Sequence, residues 1–370
     1  MISSILVFIV ALSVLILVHE LGHFLTARWM GIWVEEFGIG LPPRIFGKKI
    51  GSTIYSINLL PFGGFCRMHG EDSEDNTTNA EKSFLRKSKK ARVLVTIAGV
   101  VMNLVLALVA FSIVYTFSGI PRPSGKVTIL DVVASSPAQE VGLIAGDLVK
   151  KVEGKDIATS DEFVALLEEK KGTKVALEVE RTEGDNVQTK KMKVVPRENP
   201  PENEGPLGVV VSSTEIYFPP IWQRPFYGVY YGSQDAFFWG KTIVGGLGTM
   251  LAGILKGNIP KDVSGPVGIF AITTEAYKVG FLSLLNFVGI LSLNLAILNI
   301  VPFPALDGGR LFFIGIEAIF GRKVLPKVEA SVNAVGMAVL VLLLLAITTY
   351  DIKRLIAAGS IDGFLQSFYK

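Results

Sequence analysis

Four long uncharged stretches limit what this chain can fold into. They cover residues 1–18, 93–117, 279–306 and 331–350. A bilayer core of about 30 Å takes about 20 apolar residues of helix, so each stretch is long enough, or nearly so, to cross it. The whole chain is 50% hydrophobic and only 19% charged, which agrees with this reading. The sequence therefore predicts a polytopic α-helical membrane protein with about four transmembrane helices.

A fifth stretch, residues 236–255, has a different character. It is interrupted by Lys241 and rich in glycine, and its uncharged part, 242–255, has only 14 residues. A run of that length favours an interfacial or partly buried helix over a span, and whether it lies on or in the membrane stays open. The first stretch is expected to be retained, because it lacks the basic start and the small-residue cleavage site of a signal peptide.

The distribution of Lys and Arg predicts how the chain is oriented in the membrane. Six of them lie in residues 82–92, and four more lie between the third and fourth stretches, whereas the opposite side has fewer. Because cytoplasmic loops carry the excess of positive charge, residues 24–92 and 307–330 are expected in the cytosol. Both termini and the insert at 120–278 are then expected outside.

The insert divides into a folded part and a linker. Residues 126–133 and 148–152 alternate like strands, Thr159-x-x-Glu162 is a capping box that opens a helix, and 174–181 pairs with 188–195 across a turn at 183–186. The stretch 197–206 is rich in Pro and Glu. The predicted organisation is a membrane region at 1–119, an α/β domain at 120–200, a linker with the fifth stretch at 201–278, and a second membrane region at 279–370.

The strongest chemical signal is His19-Glu20-Leu21-Gly22-His23, an H-E-x-x-H motif. On a helix, positions i and i+4 share one face, so both imidazoles can bind one metal ion while the glutamate acts on a bound water. The motif ends an apolar run, where such polar groups are costly and usually functional. The alternative is an interfacial cap in which His19, Glu20 and His23 face the headgroups.

A catalytic zinc site needs a third protein ligand. The one other histidine is His69, so a carboxylate is the natural candidate. Asp307 ends the third stretch in the sequence NIVPFPALDGG, on the same predicted side as His23. The alternative is that Asp307 only caps the helix that follows. A pairing of Cys66 with His69 in a second metal site is disfavoured, because the C-x-x-H has no matching second half.

Taken together, these motifs resemble the site-2 proteases, and most closely the bacterial group that includes RseP and RasP. The insert, with ASSPAQEVGLIAGDLVKKVEGKDI, is similar to a bacterial PDZ domain. The resemblance implies a zinc endopeptidase of the bacterial inner membrane, with its active site towards the cytosol and the PDZ-like domain outside. Its partners would be the lipid bilayer and single-pass membrane proteins, such as anti-sigma factors or signal-peptide remnants. The rival is a membrane scaffold or transporter subunit; the balanced net charge of +3 disfavours nucleic-acid binding.

The resemblance also adds candidate substrate-binding residues. Asn294 and Asn299 match asparagines that the family uses near its active site, although such amides also bond neighbouring helices. Residues 58–68 resemble a cytosolic, membrane-associated β-hairpin, which places Gly63, Gly64 and Phe65 where a substrate strand could pair. Ser264-Gly265-Pro266 matches a motif before the third helix, with no chemistry that the sequence explains.

Overall fold

The structure is a computed structural model that describes residues 2–71, 79–184, 186–201, 204–256, 264–322 and 324–366. Its helices are α1 (Ile2–Trp29), α2 (Lys89–Ser118), α3 (Pro137–Glu140), α4 (Ser160–Glu169), α5 (Arg224–Leu255), α6 (Pro266–Val279), α7 (Phe281–Ile300), α8 (Asp307–Phe320), α9 (Pro326–Ala358) and α10 (Ile361–Gln366). Its strands are β1 (Val34–Ile50), β2 (Thr53–Met68), β3 (Ile120–Val132), β4 (Leu148–Val152), β5 (Lys155–Asp156), β6 (Val175–Glu183), β7 (Asn186–Val194) and β8 (Val209–Tyr217). The chain forms two compact units, Met1–Phe117 with Trp222–Lys370, and Ser118–Ile221.

Four of the described helices, α1, α2, α7 and α9, are long and apolar enough to cross a membrane. They correspond to the four predicted stretches. Two boundaries differ from the expectation. Helix α1 continues to Trp29, so the H-E-x-x-H motif lies inside the helix and not at its end. The third stretch is interrupted at Gly280, between α6 and α7, and α7 ends at Ile300 because the prolines of the following loop cannot continue a helix.

Small residues let the helices of the first unit approach closely. A Cβ at Gly22 of α1 would lie 2.3 Å from the Ala98 oxygen of α2, and a Cβ at Gly232 of α5 would lie 2.7 Å from the Ser112 nitrogen. The fifth stretch is thus the second half of a longer helix, α5, which packs against α2. Helix α5 is not one of the four described helices that could span a membrane.

Strands β1 and β2 form an antiparallel hairpin that follows α1 directly. Its base packs on α1, where Phe24, Phe37 and Tyr55 make aromatic contacts with centroid distances of 5.1 to 6.4 Å. Its outer half exposes apolar side chains, among them Ile45 and Phe46. The stretch 58–68 that the sequence likens to a hairpin is therefore only the end of its second strand, because the hairpin spans 34–68. The outer half of this longer hairpin is apolar enough to contact lipid.

The second unit is an antiparallel sheet in the order β7-β6-β4-β3-β8, with β5 beside β4. Helix α4 buries Phe163 and Leu167 in the core of this unit. It begins with the expected capping box, because Thr159 and Glu162 bond each other's backbone N–H groups. The predicted hairpin of β6 and β7 is present, although Asp185 in its turn lies outside the described residues. Sheet and helix are consistent with a PDZ-like domain.

The boundary predicted at residue 200 is wrong. Strand β8 lies inside the stretch that the sequence assigned to a linker, and it pairs with β3 from Ile120↔Tyr217 to Val132↔Val209. The second unit accordingly extends to Ile221. The error has a physical cause, since β8 follows a Pro-rich segment and acquires its partner from the far end of the unit, a pairing without a local sequence signal.

Helix α6 begins at the Ser264-Gly265-Pro266 motif, and the structure explains why. Asp351 of α9 is fully buried, and its Oδ2 accepts hydrogen bonds from the backbone N–H groups of Gly265 at 2.9 Å and Gly268 at 3.0 Å. Those N–H groups have no partner within α6 itself. The carboxylate therefore caps α6 from a different helix, which ties α9 to the start of α6.

We expect Asp351→Ala to destabilise the protein by about 1–2 kcal/mol, because two N–H groups lose their acceptor. Asp351→Asn should lose less, since it keeps one side-chain oxygen. The measurement is thermal unfolding of purified protein in detergent, with Thr349→Ala on the exposed surface of α9 as the control. An Asp351→Ala protein as stable as this control would contradict the capping role.

Candidate metal centre and its cavity

Helix α1 presents the two imidazoles of its motif on one face. His19 and His23 are 9% and 7% exposed, and their Nε2 atoms lie 3.1 Å apart. Their rings are nearly perpendicular, with centroids 4.8 Å apart. Because the helix places positions i and i+4 one turn apart, both Nε2 atoms point to the same place. The structure therefore brings the two predicted residues together.

Asp307 reaches the same place from the other end of the chain. It is the first residue of α8, and its Oδ2 lies 3.1 Å from His19 Nε2 and 3.3 Å from His23 Nε2. The loop before it folds back on the end of α7, where a Cβ at Gly308 would lie 2.0 Å from the Val301 oxygen. From α9, Asn333 holds this loop through a 3.1 Å hydrogen bond from the Ala305 N–H to its Oδ1.

The three ligand atoms fit a zinc ion. Zinc binds imidazole nitrogen at about 2.0–2.1 Å with tetrahedral angles, which separates two such ligands by about 3.3 Å; the separations here are 3.1 to 3.3 Å. Asp307 Oδ2 is buried, with no well-aligned hydrogen bond to any described residue. Burial disfavours its charge, but the close approach of the His19 and His23 rings outweighs this and holds the pKa of Asp307 below its usual range. Two imidazole nitrogens and one carboxylate oxygen are a donor set that suits zinc.

Helix α2 closes the site from behind. The Val95 carbonyl accepts a 2.8 Å hydrogen bond from His23 Nδ1. At Gly99, a Cβ would lie 2.5 Å from His23 Nε2 and 2.6 Å from His19 Cε1. Only a glycine leaves room for both rings at this position. Asn103, one turn further along α2, lies beside His19.

A cavity of about 510 Å³ opens in front of the three ligands. Glu20 lines it together with them. The hairpin contributes Phe65, Cys66 and Met68, and Asn299 lines it at the end of α7. Burial raises the pKa of the Cys66 thiol. The cavity thus brings the three candidate metal ligands together with the carboxylate of Glu20 and one strand of the hairpin.

Residues 7–343 match the profile of Peptidase family M50. This chain belongs to that family. A Clostridium perfringens protein with the provisional name of a zinc metalloprotease is 38% identical, over 93% of this chain and 97% of its own. The regulator of sigma-W protease RasP of Bacillus subtilis is 29% identical, over 96% and 99% of the two chains.

The family membership confirms the resemblance to site-2 proteases. This M50 protein is a zinc metalloprotease, and the scaffold or transporter alternative is not supported. Among solved structures, the PDZ domain of the SdrC-like protein of Listeria monocytogenes is 26% identical over 23% of this chain and 85% of that one, with a TM-score of 0.19.

The predicted substrate-binding residues of this M50 protease fall into two groups. Phe65 and Asn299 line the cavity. Asn294 lies half-buried on α7, and neither it nor Gly63 or Gly64 is among the described residues that line the cavity. The glycines instead let β2 lie close to α1, since a Cβ at Gly64 would come within 2.9 Å of Leu17 Cδ2.

An ion pair that the sequence analysis missed joins the hairpin to α8. Glu71 pairs with Arg310, and the other oxygen of Glu71 accepts a 3.1 Å hydrogen bond from the Met68 N–H. Arg310 lies one helical turn after Asp307, but no local sequence signal predicts a pair with a residue 239 positions away. His69 is also placed by a carboxylate, because its Nδ1 lies 2.7 Å from Glu35 Oε1.

We expect Gly99→Ala to weaken zinc binding by about tenfold or more, because the added methyl group displaces the imidazoles that should hold the metal. Gly245→Ala is the matched control, since a Cβ there meets nothing within 4 Å. Zinc bound per protein, measured by elemental analysis after dialysis against a weak chelator, separates the two. Equal zinc content in both variants would contradict the close packing of α2 on the rings.

Proposed function

We propose that this M50 zinc metalloprotease is an intramembrane endopeptidase that cleaves the transmembrane segments of single-pass membrane proteins. The observation that carries the proposal is the convergence of His19, His23 and Asp307 with Glu20 in one cavity. The two imidazoles belong to a helix that is itself long and apolar enough to span a membrane. A reaction at this place is therefore within reach of a substrate helix that is in the bilayer.

In this proposal His19, His23 and Asp307 hold the zinc ion. When bound, zinc supplies Lewis-acid chemistry, because it lowers the pKa of a coordinated water to about 7 and polarises a carbonyl. Glu20 lies on the same helix turn and also lines the cavity. It takes the proton of the attacking water and delivers it to the leaving amide nitrogen. The burial of the site keeps bulk water away from the reacting groups.

The substrate must be unwound before it is cut, because a helix holds its carbonyls in hydrogen bonds. Residues 54–57 of β2 pair with β1 on both sides, whereas residues 64–68 pair with β1 on one side only. An extended segment can therefore add to the outer edge at residues 64–68. We assign Gly63, Gly64 and Phe65 to this pairing, and of the three only Phe65 is among the described residues that line the cavity. Asn299 is placed to bind the substrate backbone, and Asn294 is the weaker candidate because it lies away from the cavity lining.

The substrate class is inferred from the relatives. One of them carries the name of a regulator of sigma-W, so we propose anti-sigma-factor-like proteins or signal-peptide remnants as substrates. The Lys and Arg distribution supports a position in the bacterial inner membrane with the metal centre towards the cytosol and the PDZ-like unit outside.

Glu20→Gln should lower the cleavage of a single-pass model substrate by about 10²- to 10⁴-fold while zinc content stays at the wild-type level, because Glu20 acts as the base and not as a ligand. Asp307→Asn should lower both zinc content and cleavage, since the amide oxygen carries no full negative charge. Both variants are assayed in liposomes with the same substrate. Full zinc in Asp307→Asn together with zinc loss in Glu20→Gln would reverse the two assignments.

Cysteine labelling tests the orientation. In a Cys66→Ala background, Ser52→Cys in the hairpin should react with a membrane-impermeant maleimide only after the cells are opened. Lys155→Cys in the second unit should react in intact cells, because that unit is expected outside. Both positions are exposed, so accessibility within the protein does not differ between them. Labelling of the hairpin position in intact cells would overturn the orientation.

A further inference from the structure

Asn103 lies inside the bundle beside the first imidazole of the metal centre. Its side chain is 0% exposed, and its Nδ2 lies 3.4 Å from His19 Nδ1. Its Oδ1 has no hydrogen-bond partner among the residues that the structure describes. A buried polar group without a partner costs about 1–3 kcal/mol. A fully buried amide in an apolar helix therefore calls for a role that outweighs this cost.

The two ring nitrogens of His19 have different surroundings. Nε2 faces Asp307 Oδ2 and His23 Nε2, each at 3.1 Å, so it is the atom aimed at the metal position. An imidazole that binds metal through Nε2 carries its proton on Nδ1, and this N–H needs an acceptor that fixes the ring. The side chain next to His19 Nδ1 is that of Asn103.

His23 has the same arrangement with a backbone acceptor. Its Nδ1 lies 2.8 Å from the Val95 oxygen. Val95, Gly99 and Asn103 are spaced by four residues, so they lie along one face of α2. This face offers a carbonyl to one ring, space for both rings at Gly99, and an amide to the other ring. One stripe of α2 thus contacts the outer edge of each imidazole.

We propose that Asn103 is a positioning residue of the metal centre, whose side-chain amide holds the Nδ1 edge of His19 as the Val95 carbonyl holds that of His23. The proposal rests on the ligand set proposed above. It adds a residue from a helix that carries none of the ligands.

An amide suits this position because it carries a donor and an acceptor of nearly the same shape. When Nε2 of His19 is protonated, Nδ1 is an acceptor and receives the Asn103 Nδ2–H. When Nε2 is a ligand, Nδ1 carries the proton, and a half-turn of the amide brings Oδ1 against it. Asn103 can therefore support His19 in either tautomer, which a carboxylate or an aliphatic side chain cannot do.

The test compares three substitutions in the full-length protein purified in detergent. Asn103→Leu keeps the branched arrangement of side-chain heavy atoms and removes the amide, whereas Asn103→Asp keeps an acceptor. Ser292→Ala is the control, because it removes the 2.8 Å hydrogen bond from Ser292 Oγ to the Asn103 backbone oxygen and leaves the amide in place. Zinc affinity is measured by competition with a chelator of known affinity, independently of proteolysis.

We expect Asn103→Leu to weaken zinc binding by about 10- to 100-fold, as for other residues that orient a ligand. Asn103→Asp should restore most of the affinity, and Ser292→Ala should match the wild type. Wild-type affinity in Asn103→Leu, or an equal loss in Ser292→Ala, would show that Asn103 only fills space. His19→Ala tests the ligand set separately, because a variant that retains zinc would show that the proposed ligands are wrong. If His19→Ala loses zinc while Asn103→Leu binds it with wild-type affinity, only the role of Asn103 is contradicted.

A spectroscopic measurement decides the matter even if Asn103→Leu does not fold. The chain has 3 histidines, so ¹⁵N-histidine labelling gives few imidazole signals, and His69→Gln identifies the one outside the site. In the zinc-loaded wild type, both site histidines should show a hydrogen-bonded Nδ1–H. A His19 protonated at Nε2, or one whose Nδ1–H is not hydrogen-bonded, would overturn the proposal.

Discussion

Two imidazoles and a carboxylate lie within 4.8 Å of one another inside an apolar helix bundle, and groups of this kind are costly to bury unless they are paired. The surrounding structure reduces this cost from several directions. The Val95 carbonyl accepts the outer N–H of His23. Asp307 stands in the first turn of α8, where the helix dipole favours a negative charge. A divalent cation at the centre would neutralise what remains, so the cluster and the zinc ion depend on each other.

The geometry of this cluster depends on close contact between α1 and α2. In a bilayer the hydrophobic effect does not drive helices together, so packing of small residues and interhelical hydrogen bonds must do so. Gly22 of α1 meets the Ala98 carbonyl, and Gly99 of α2 leaves the space for the two rings. The α1–α2 contact and the metal site are therefore one feature, because a side chain at either glycine would separate the helices that define the site.

The sequence predicts features that depend on residues close together in the chain, and it misses features that depend on distant partners. The H-E-x-x-H motif and the capping box at Thr159 are set within one or two helical turns, and the structure has both. Asp307 could be predicted as a partner of the two histidines because the loop sequence around it is distinctive, and the structure places it beside both imidazoles. Strand β8 and the contacts of Gly99 and Asn103 with the imidazoles could not be predicted, because each depends on a partner distant in the chain. A glycine and an asparagine in an apolar helix have no local pattern that distinguishes a contact with a metal ligand from ordinary packing.

The two halves of the metal site are held in different ways. The imidazoles are built on α1 and backed by α2, whereas Asp307 follows a loop that is braced by Asn333 and by the pair of Arg310 with Glu71. Glu71 also binds the Met68 N–H at the end of β2. The hairpin strand that reaches the cavity and the helix that carries the third ligand are thus tied through one carboxylate. If a substrate adds to the hairpin as we propose, any displacement of the hairpin would have to break this ion pair or move α8, with Asp307, along with it.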